Sequence, residues 1–488
     1  MTRSRRSGNA LVLVGHGSHL SPDSSAPVYA HAAEIRRRGV FDEVLEVFWK
    51  EEPCLRDALD LLESENVWIV PIFLAEGYFT RQVLPRELGL GTDTSRRALQ
   101  TVHYCPPVGT HPMMADMILR RAREVSGLTA DERRESALVV VGHGTDRSAS
   151  SGDTVYSLVE RLRALGEFGH IVCGFLDESP AIGDVVRDVD VERIVLVPFF
   201  VAEGWHTRTT IPDELGLQGD LTVEAGRRIW YSPPIGTLDD IADVILSIAA
   251  EAGASLRAES PRDPPGPKLL EESPIAEARN EFFQWLGQAG SRGRTFLQVL
   301  IRPTAAGRFE VRHLEDADLP LASLTPHRDP PAATPLARST QSGAFRPLRS
   351  AANLARGWVF LDLDATGLWT TLSNLYPAAV LHWHRGRTGD LRTVSYDRWA
   401  SRQSGIYSGL RDLPSHRLAE MVDACCHEHR CLRSLTWGYS LPVVRGPLDH
   451  GAVPCLEPCT LFAAVARDKL VSIGSGQPLA GELAEAYR

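Results

Sequence analysis

The sequence lacks a long apolar run, and no stretch approaches the about 18–20 apolar residues that span a bilayer. Its first residues are basic but lead at once into a strand-like segment, without the apolar region and cleavage site of a signal peptide. It also lacks an excess of positive charge, since its formal net charge is −10. These absences predict a cytoplasmic protein that does not associate with membranes and argue against nucleic-acid binding by general backbone attraction.

Cysteine is also scarce, with eight residues in a chain of 488. Cys54, Cys105 and Cys173 are scattered through the first half, where we expect buried small side chains. The other five lie close together near the end: Cys425, Cys426, Cys431, Cys455 and Cys459. This number is too small for a disulfide-built protein of this length, so the clustering indicates metal or redox chemistry.

An internal repeat organises the first half of the chain. Residues 10–18 (ALVLVGHGS) recur as residues 137–145 (ALVVVGHGT), an offset of 127. The same offset carries AEG at 75–77 to AEG at 202–204, and further matches continue in order without a gap. The sequence therefore contains a duplicated unit that matches over roughly a hundred residues.

Each copy of the repeat has the pattern of an α/β domain. Short apolar runs rich in β-branched residues, such as 11–14 and 138–141, are typical of strands buried on both faces of a parallel sheet. Helical stretches lie between them, for example 28–38 and 53–62. We predict two doubly wound parallel-sheet lobes, 1–127 and 128–255, that face each other across a cleft.

Histidines follow the predicted strands where ligands bind in such folds. His143 lies between glycines after one strand, and His206 follows a second strand in the same copy. Glu178 follows a third strand. Two neutral imidazoles and a carboxylate suit a divalent first-row metal, so these three residues are the predicted metal and catalytic site.

The first copy retains only part of this set. It keeps His16 and Glu51, but Phe79 stands at the position of His206. We therefore predict that the second lobe carries the main site. His16 and Glu51 form a secondary site that either faces it or is a remnant.

The order of these motifs resembles the class II tetrapyrrole chelatases, in particular the small sirohydrochlorin cobaltochelatases and ferrochelatases. The resemblance covers about residues 10–245, and Phe79 is its main departure. It implies insertion of Co²⁺ or Fe²⁺ into a tetrapyrrole such as sirohydrochlorin without nucleotide hydrolysis. It also implies that His143 and His206 bind the incoming metal with help from Glu178.

The second half of the chain has a different character. Residues 256–275 are a proline-rich linker, and 276–350 are predicted as a small α+β subdomain with a flexible segment from 325 to 349. Residues 351–488 form the cysteine-cluster domain, so the fold class is two α/β lobes followed by a smaller α+β region. Because the duplication supplies both lobes within one chain, we expect a monomer or a small homo-oligomer.

The clustered cysteines form two pairs, Cys425-x5-Cys431 and Cys455-x3-Cys459. Such pairs suit a [4Fe–4S] cluster or a tetrahedral zinc ion, and the wide spacing favours the cluster. Cys426 is an alternative ligand. The arrangement also resembles a group of long chelatase-like proteins that carry an added iron–sulfur domain.

Three functions agree with these patterns. The first is a metallochelatase with a cluster domain, acting in cobalamin or sirohaem biosynthesis. The second is a metal or tetrapyrrole carrier that has lost turnover. The third is a reductase in which the cluster is the main catalyst and the lobes hold a metallated ring.

Overall fold

The structure is a computed structural model. It describes residues 8–18, 22–90, 100–144, 152–224, 226–257, 273–304, 307–338, 354–390, 393–402, 405–413 and 418–423, together with a few positions between 426 and 467. The chain divides into two compact units. The first unit holds residues 1–49 and 62–270, and the second holds residues 50–61 and 271–488. In the described part of the chain, no helix is both long enough and apolar enough to cross a membrane.

The first unit contains both copies of the repeat. Among its described residues, the first copy has these strands and helices: β1 (Asn9–Gly15), α1 (Ala26–Arg38), β2 (Glu43–Phe48), β3 (Asn66–Pro71), α2 (Leu84–Glu87), β4 (Thr101–Tyr104) and α3 (Met114–Ser126). The second copy follows the short helix α4 (Ala130–Arg134) and has these elements: β5 (Ala137–Gly142), α5 (Asp153–Leu165), β6 (His170–Phe175), α6 (Ile182–Asp188), β7 (Arg193–Pro198), α7 (Ile211–Leu215), β8 (Leu221–Glu224), β9 (Arg227–Tyr231) and α8 (Ile241–Glu251).

Each copy builds its own sheet. The strand orders are β2-β1-β3-β4 and β6-β5-β7-β9-β8. All pairs are parallel except β8 with β9, an antiparallel edge that the repeat does not predict. The predicted parallel-sheet lobes are thus confirmed. The first β-strand lies inside each sheet, which places the residues after it at the carboxyl edge where ligands bind in this fold class.

Burial explains why these strands read as continuous apolar runs. Along β5, Leu138 and Val140 belong to one core, and Val139 and Val141 belong to a second core on the opposite face. All four are 0% exposed. Since both faces are covered, no position on the strand needs a polar side chain.

The last helix of each copy packs on the sheet of the other copy. Helix α3 contacts β7 and β9, and α8 contacts β3 and α1. Hydrogen bonds accompany this packing, because the Trp68 indole N–H donates to the Ala252 carbonyl at 3.1 Å and Arg121 donates to Thr237 Oγ1 at 2.9 Å. The two lobes therefore share one hydrophobic core, and the sequence boundary at 127/128 does not separate two independent bodies.

His31 lies in the interface between the two copies. It is 2% exposed, and Nε2 is 2.9 Å from the Gly236 carbonyl. Burial lowers its pKa below 6.5, against the opposing effects of that hydrogen bond and of Asp239. The buried ring is therefore neutral, and its Nε2–H donates a hydrogen bond to the carbonyl oxygen.

We expect this histidine to make stability depend on acid pH. The unfolded state takes up a proton below about pH 6.5 before the folded state does, so stability is lost as the pH falls through that value. Between about pH 7.5 and 5.5 the contribution is up to about 1.4 kcal/mol. Urea unfolding of wild type and His31→Leu at both pH values measures it, leucine being the residue at the equivalent position 158. Equal losses in the two proteins would contradict the assignment.

The second unit is built around a five-stranded sheet. Its elements are α9 (Pro274–Gly287), β10 (Arg294–Phe296), β11 (Val299–Pro303), β12 (Phe309–His313), β13 (Thr325–His327), α10 (Ala333–Arg338), β14 (Trp358–Leu363), α11 (Ala365–Leu375), α12 (Ala379–Thr388), β15 (Val394–Ser395), α13 (Tyr396–Ala400), α14 (Leu418–Val422) and β16 (Ala452–Val453). The strand order is β10-β11-β12-β14-β13.

This sheet crosses the predicted boundary at 350/351. Strand β14 pairs with both β12 and β13, so its residues continue the subdomain that begins near 276. Residues 325–338, expected to be flexible, form β13, a 3₁₀ turn and α10. The aromatic core around Phe282, Trp358 and Trp383 explains the difference, because it is completed only when these later elements pack on the sheet.

Residues 50–61 group with the second unit although they lie between β2 and β3 in the chain. The sequence predicts an α-helix from 53 to 62, whereas the structure has a 3₁₀ helix at Leu55–Leu61. At the equivalent place in the second copy, α6 is an α-helix. The two copies of the repeat have therefore diverged in this connection.

Candidate metal centre

The second copy brings two imidazoles together at the edge of its sheet. His143 directly follows β5, and His206 is the first residue of a π-helical turn, His206–Thr210. The two ring centroids are 4.7 Å apart with the planes at 77°. Phe200 lies beside both rings, at 6.1 Å and 6.5 Å between centroids. Such turns often mark functional sites, and this one turns His206 toward His143.

Local contacts orient each ring by its Nδ1 atom. His143 Nδ1 is 3.0 Å from the Gly144 carbonyl and 3.4 Å from Asp177 Oδ2. His206 Nδ1 is 3.4 Å from Thr210 Oγ1. A histidine held through one ring nitrogen binds a metal through the other, so Nε2 is the candidate donor atom of both residues.

The environment keeps His206 in the form that binds metal. Partial burial lowers its pKa, and the neighbouring His143 lowers it further, while Asp177 opposes the shift. Both effects favour the neutral form of the His206 imidazole. Neutral imidazole is the form that binds a divalent metal ion.

Glu178 packs against the loop that carries His143. Gly144 has a φ of +72°, and a Cβ atom there would lie 2.5 Å from Glu178 Cβ. On its other side, Glu178 Oε1 lies 2.9 Å from where a Cβ of Gly152 would be. Glycine at both positions gives the carboxylate room beside the histidine.

The three predicted ligands do not form a closed site. Within the described residues, the donor atoms of His143, His206 and Glu178 do not all lie within 4.8 Å of one another. The structure thus brings the two histidine rings together without closing a three-ligand site. An open donor set of this kind suits an ion that is passed on rather than one held permanently.

Sequence reasoning overlooked Asp177. Its carboxylate is the acidic group 3.4 Å from His143 Nδ1, and Lys50 stands at the equivalent position of the first copy. The offset of 127 could have identified it, since a change from acid to base beside the histidine accompanies the change from His206 to Phe79.

In the first copy an aromatic cluster takes the place of the second imidazole. His16 Nδ1 is 2.9 Å from the Gly17 carbonyl, which repeats the geometry of His143. Phe79 lies 6.0 Å from the His16 ring and contacts Trp49 and Phe73, at 5.4 Å in each case. Glu51 is buried within the segment 50–61.

Two aromatic side chains next to these positions are exposed rather than part of the core. Trp205 is 73% exposed and Tyr78 is 66% exposed. An arginine lies three residues after each of these aromatic residues and forms ion pairs. Arg208 pairs with Glu203 and with Asp23 of the other copy, and Arg81 pairs with Glu76. Solvent-exposed pairs of this kind are weak enough to exchange partners with an anionic ligand.

The structure describes only part of the cysteine cluster. Cys426 is buried, and Cys455 packs against the same hydrophobic core, which also contains Trp399 and Phe462. Cys425, Cys431 and Cys459 lie outside the described residues. The described sulfur atoms are thus next to a water-poor core, an environment that fits an iron–sulfur cluster. Cys54, Cys105 and Cys173 are buried as expected, and burial raises the pKa of the latter two thiols to about 12 and about 11.

The fold is a two-lobed α/β protein with two imidazoles paired at the carboxyl edge of the second lobe's sheet. Residues 10–125 and 137–252 each match the CbiX family model. Residues 280–387 match the DR2241 stabilising domain, and residues 388–468 match the 4Fe-4S iron-sulfur cluster binding domain. The predicted duplication and the added 4Fe–4S binding domain are confirmed.

Individual relatives agree with these matches. A probable sirohydrochlorin cobaltochelatase of Halobacterium salinarum is 46% identical over 269 residues, which cover 50% of this chain and 92% of that protein. The sirohydrochlorin cobaltochelatase of Methanocaldococcus jannaschii is 31% identical over 139 residues, 23% of this chain and 96% of that protein. The chain therefore belongs to the CbiX chelatase family.

A solved structure extends the similarity to nearly the whole chain. DR2241 from Deinococcus radiodurans, a multi-domain protein with structural similarity to chelatases and two additional domains, superimposes with a TM-score of 0.72 at 26% identity. The match covers 95% of this chain and 99% of that one. The second unit is thus a recurring companion of this pair of lobes.

Proposed function

We propose that this protein inserts a divalent metal, Co²⁺ or Fe²⁺, into sirohydrochlorin. The observation that carries the proposal is the pair of imidazoles of His143 and His206, 4.7 Å apart at the carboxyl edge of the second lobe's sheet in a chain of the CbiX family. Metal insertion replaces two pyrrole N–H protons by one M²⁺ ion, so the site must hold a metal loosely and accept two protons.

Each part of this task has a candidate residue. Nε2 of His143 and of His206 binds the incoming ion as neutral imidazole. The carboxylates of Glu178 and Asp177 lie on the same loop and accept the protons that leave the ring nitrogens. Trp205, exposed beside His206, offers an aromatic face to the macrocycle.

A carrier on the same fold would bind ring and metal but would not turn over. Anaerobic incubation with sirohydrochlorin and either Co²⁺ or Fe²⁺ distinguishes the two functions. A chelatase forms many equivalents of metallated ring per protein, and a carrier forms at most one. The two metals are compared in parallel, since the ligand types suit both.

We also propose that Cys425, Cys431, Cys455 and Cys459 hold a [4Fe–4S] cluster, with Cys426 as the alternative for the first of them. The match of residues 388–468 to a 4Fe-4S binding domain supports this assignment. When bound, such a cluster supplies one-electron transfer. Cys455→Ala should lower the iron and sulfide content of the anaerobically purified protein, whereas Cys105→Ala in the first unit should not. Unchanged iron content in Cys455→Ala would remove Cys455 from the ligand set.

A reductase that uses this cluster as its main catalyst makes a separate prediction. Chemical reduction of the cluster would then change the absorption spectrum of a bound tetrapyrrole. An unchanged spectrum would exclude this function and leave the cluster a structural or sensing role.

A further inference from the structure

The second unit buries a mixed cluster of carboxylates and imidazole that the chelatase chemistry does not use. Glu52 and Asp57 come from the segment 50–61, and His382 comes from α12. One donor atom from each of the three lies within 4.8 Å of the other two. Asp57 is 0% exposed and Glu52 is 8% exposed.

The distances between donor atoms suit a single metal ion. His382 Nε2 is 3.2 Å from Asp57 Oδ2. Two ligands of a tetrahedral zinc ion with bonds of about 2.0–2.1 Å are about 3.4 Å apart. The imidazole and carboxylate thus already stand at the separation that a shared ion requires.

Other contacts fix the orientation of the two carboxylates. Arg385, one helical turn after His382 and on the same face of α12, binds Asp57 Oδ1 at 2.8 Å and also pairs with Asp60. The Cys54 backbone N–H donates to Glu52 Oε2 at 2.9 Å. Ligating carboxylates are typically hydrogen-bonded in this way through their second oxygen.

The balance of buried charge also favours a cation. Segment 50–61 buries four carboxylates, those of Glu51, Glu52, Asp57 and Asp60. Arg385 of α12 is a buried cation that pairs with two of them, Asp57 and Asp60. Desolvation of ionised carboxylates is costly in a protein interior, and a divalent ion bound to them would offset part of that cost.

The two carboxylates of the cluster come from the first copy of the repeat, and the second copy does not keep both of them. At the offset of 127, Glu52 becomes Ser179 and Asp57 becomes Asp184. Asp184 is exposed and pairs with Arg187 at 3.0 Å on its own helix. The donor set therefore arose, or was kept, only where this connection packs within the second unit.

We propose that Glu52, Asp57 and His382 bind a structural divalent metal ion that joins segment 50–61 to α12. One imidazole nitrogen and two carboxylate oxygens are suitable ligands for a first-row ion such as Zn²⁺ or Mn²⁺. The ion joins residues 325 or more positions apart in the chain, so it stabilises the folded second unit by binding it in preference to the unfolded chain. This proposal does not depend on the chelatase function.

Zinc binding by the full-length, cluster-loaded protein tests the proposal. We would use the His143→Ala/His206→Ala background, which removes the other candidate metal site, and measure zinc by mass spectrometry after equilibrium dialysis. We expect one bound equivalent with a nitrogen and oxygen shell in zinc X-ray absorption, and a rise in unfolding temperature with Zn²⁺. The iron content, read in the same measurement, shows that the cluster cysteines are occupied by iron.

Two variants on the same helix locate the ion. His382→Gln should weaken zinc binding at least about 100-fold and abolish the rise in unfolding temperature. His384→Gln is the matched control, because His384 is comparably buried but pairs with Glu281, and it should retain the zinc. Glu52→Gln provides a second loss-of-ligand variant if His382→Gln does not fold. No zinc with a nitrogen and oxygen shell, or equal binding in His382→Gln and His384→Gln, would overturn the proposal and leave a buried ion-pair network.

Discussion

Replacing His143 with alanine should lower the rate of metal insertion by about 10²- to 10⁴-fold. The imidazole is both a candidate metal ligand and a group able to take up a proton, and it forms half of the pair with His206. The effect should appear in kcat at saturating metal and also in the affinity for Co²⁺. Initial rates of cobalt insertion over a range of metal concentrations separate these two contributions.

The duplication supplies the matched control for this experiment. His16→Ala removes the equivalent histidine of the first copy, which has the same hydrogen bond to the following glycine but Phe79 as its neighbour. We expect its rate to stay within a few-fold of wild type. Equal losses in His16→Ala and His143→Ala would mean that both lobes contribute to one site. Full activity in His143→Ala would place the chemistry elsewhere in the chain.

Replacing Arg385 with alanine should destabilise the second unit by about 3–5 kcal/mol. Arg385 is 4% exposed and is the shared partner of Asp57 and Asp60, so its loss leaves two buried carboxylates without their guanidinium. Such a loss is a large fraction of the net stability of a domain, about 5–15 kcal/mol. Calorimetry and urea unfolding of the full chain, without added metal, measure the change.

Arg387→Ala is the control on the same helix. Arg387 is exposed, pairs with Glu281 at 3.0 Å and lies over the Trp383 ring at 5.2 Å. Exposed contacts of this kind contribute about 1 kcal/mol or less. A difference of less than about 1 kcal/mol between the two variants would contradict the buried ion-pair network, because burial is what makes the loss of one partner costly.

Much of the first unit could be predicted from residue patterns. The repeat at an offset of 127 marks two equivalent lobes, and continuous apolar runs such as 138–141 indicate strands covered on both faces. The histidine after the first strand and His206 after another strand are predicted to meet, because parallel strands end at the same edge of a sheet. The pairing of their rings at 4.7 Å follows from that topology.

The residue patterns did not predict the packing of α3 and α8 on the opposite lobe or the burial of segment 50–61. Both features depend on contacts between residues far apart in the chain. Helices α3 and α8 occupy equivalent positions in the two copies, and each has an apolar face that either sheet could cover. Segment 50–61 has acidic residues at 52, 57 and 60, which suggest an exposed surface until their partners on α12 are known. Local patterns contain no information about such partners.

The sequence by itself determined the duplication, the parallel sheets, the order of the strand-end histidines and the loss of one of them at Phe79. These features are local or periodic, so residue type and spacing are sufficient to specify them. Only the tertiary structure decided that the lobes exchange their last helices and that Asp57 is buried against His382 and Arg385. Each of these features depends on which of several compatible surfaces pack together. Burial of side chains in the assembled core stabilises one of these arrangements over the others.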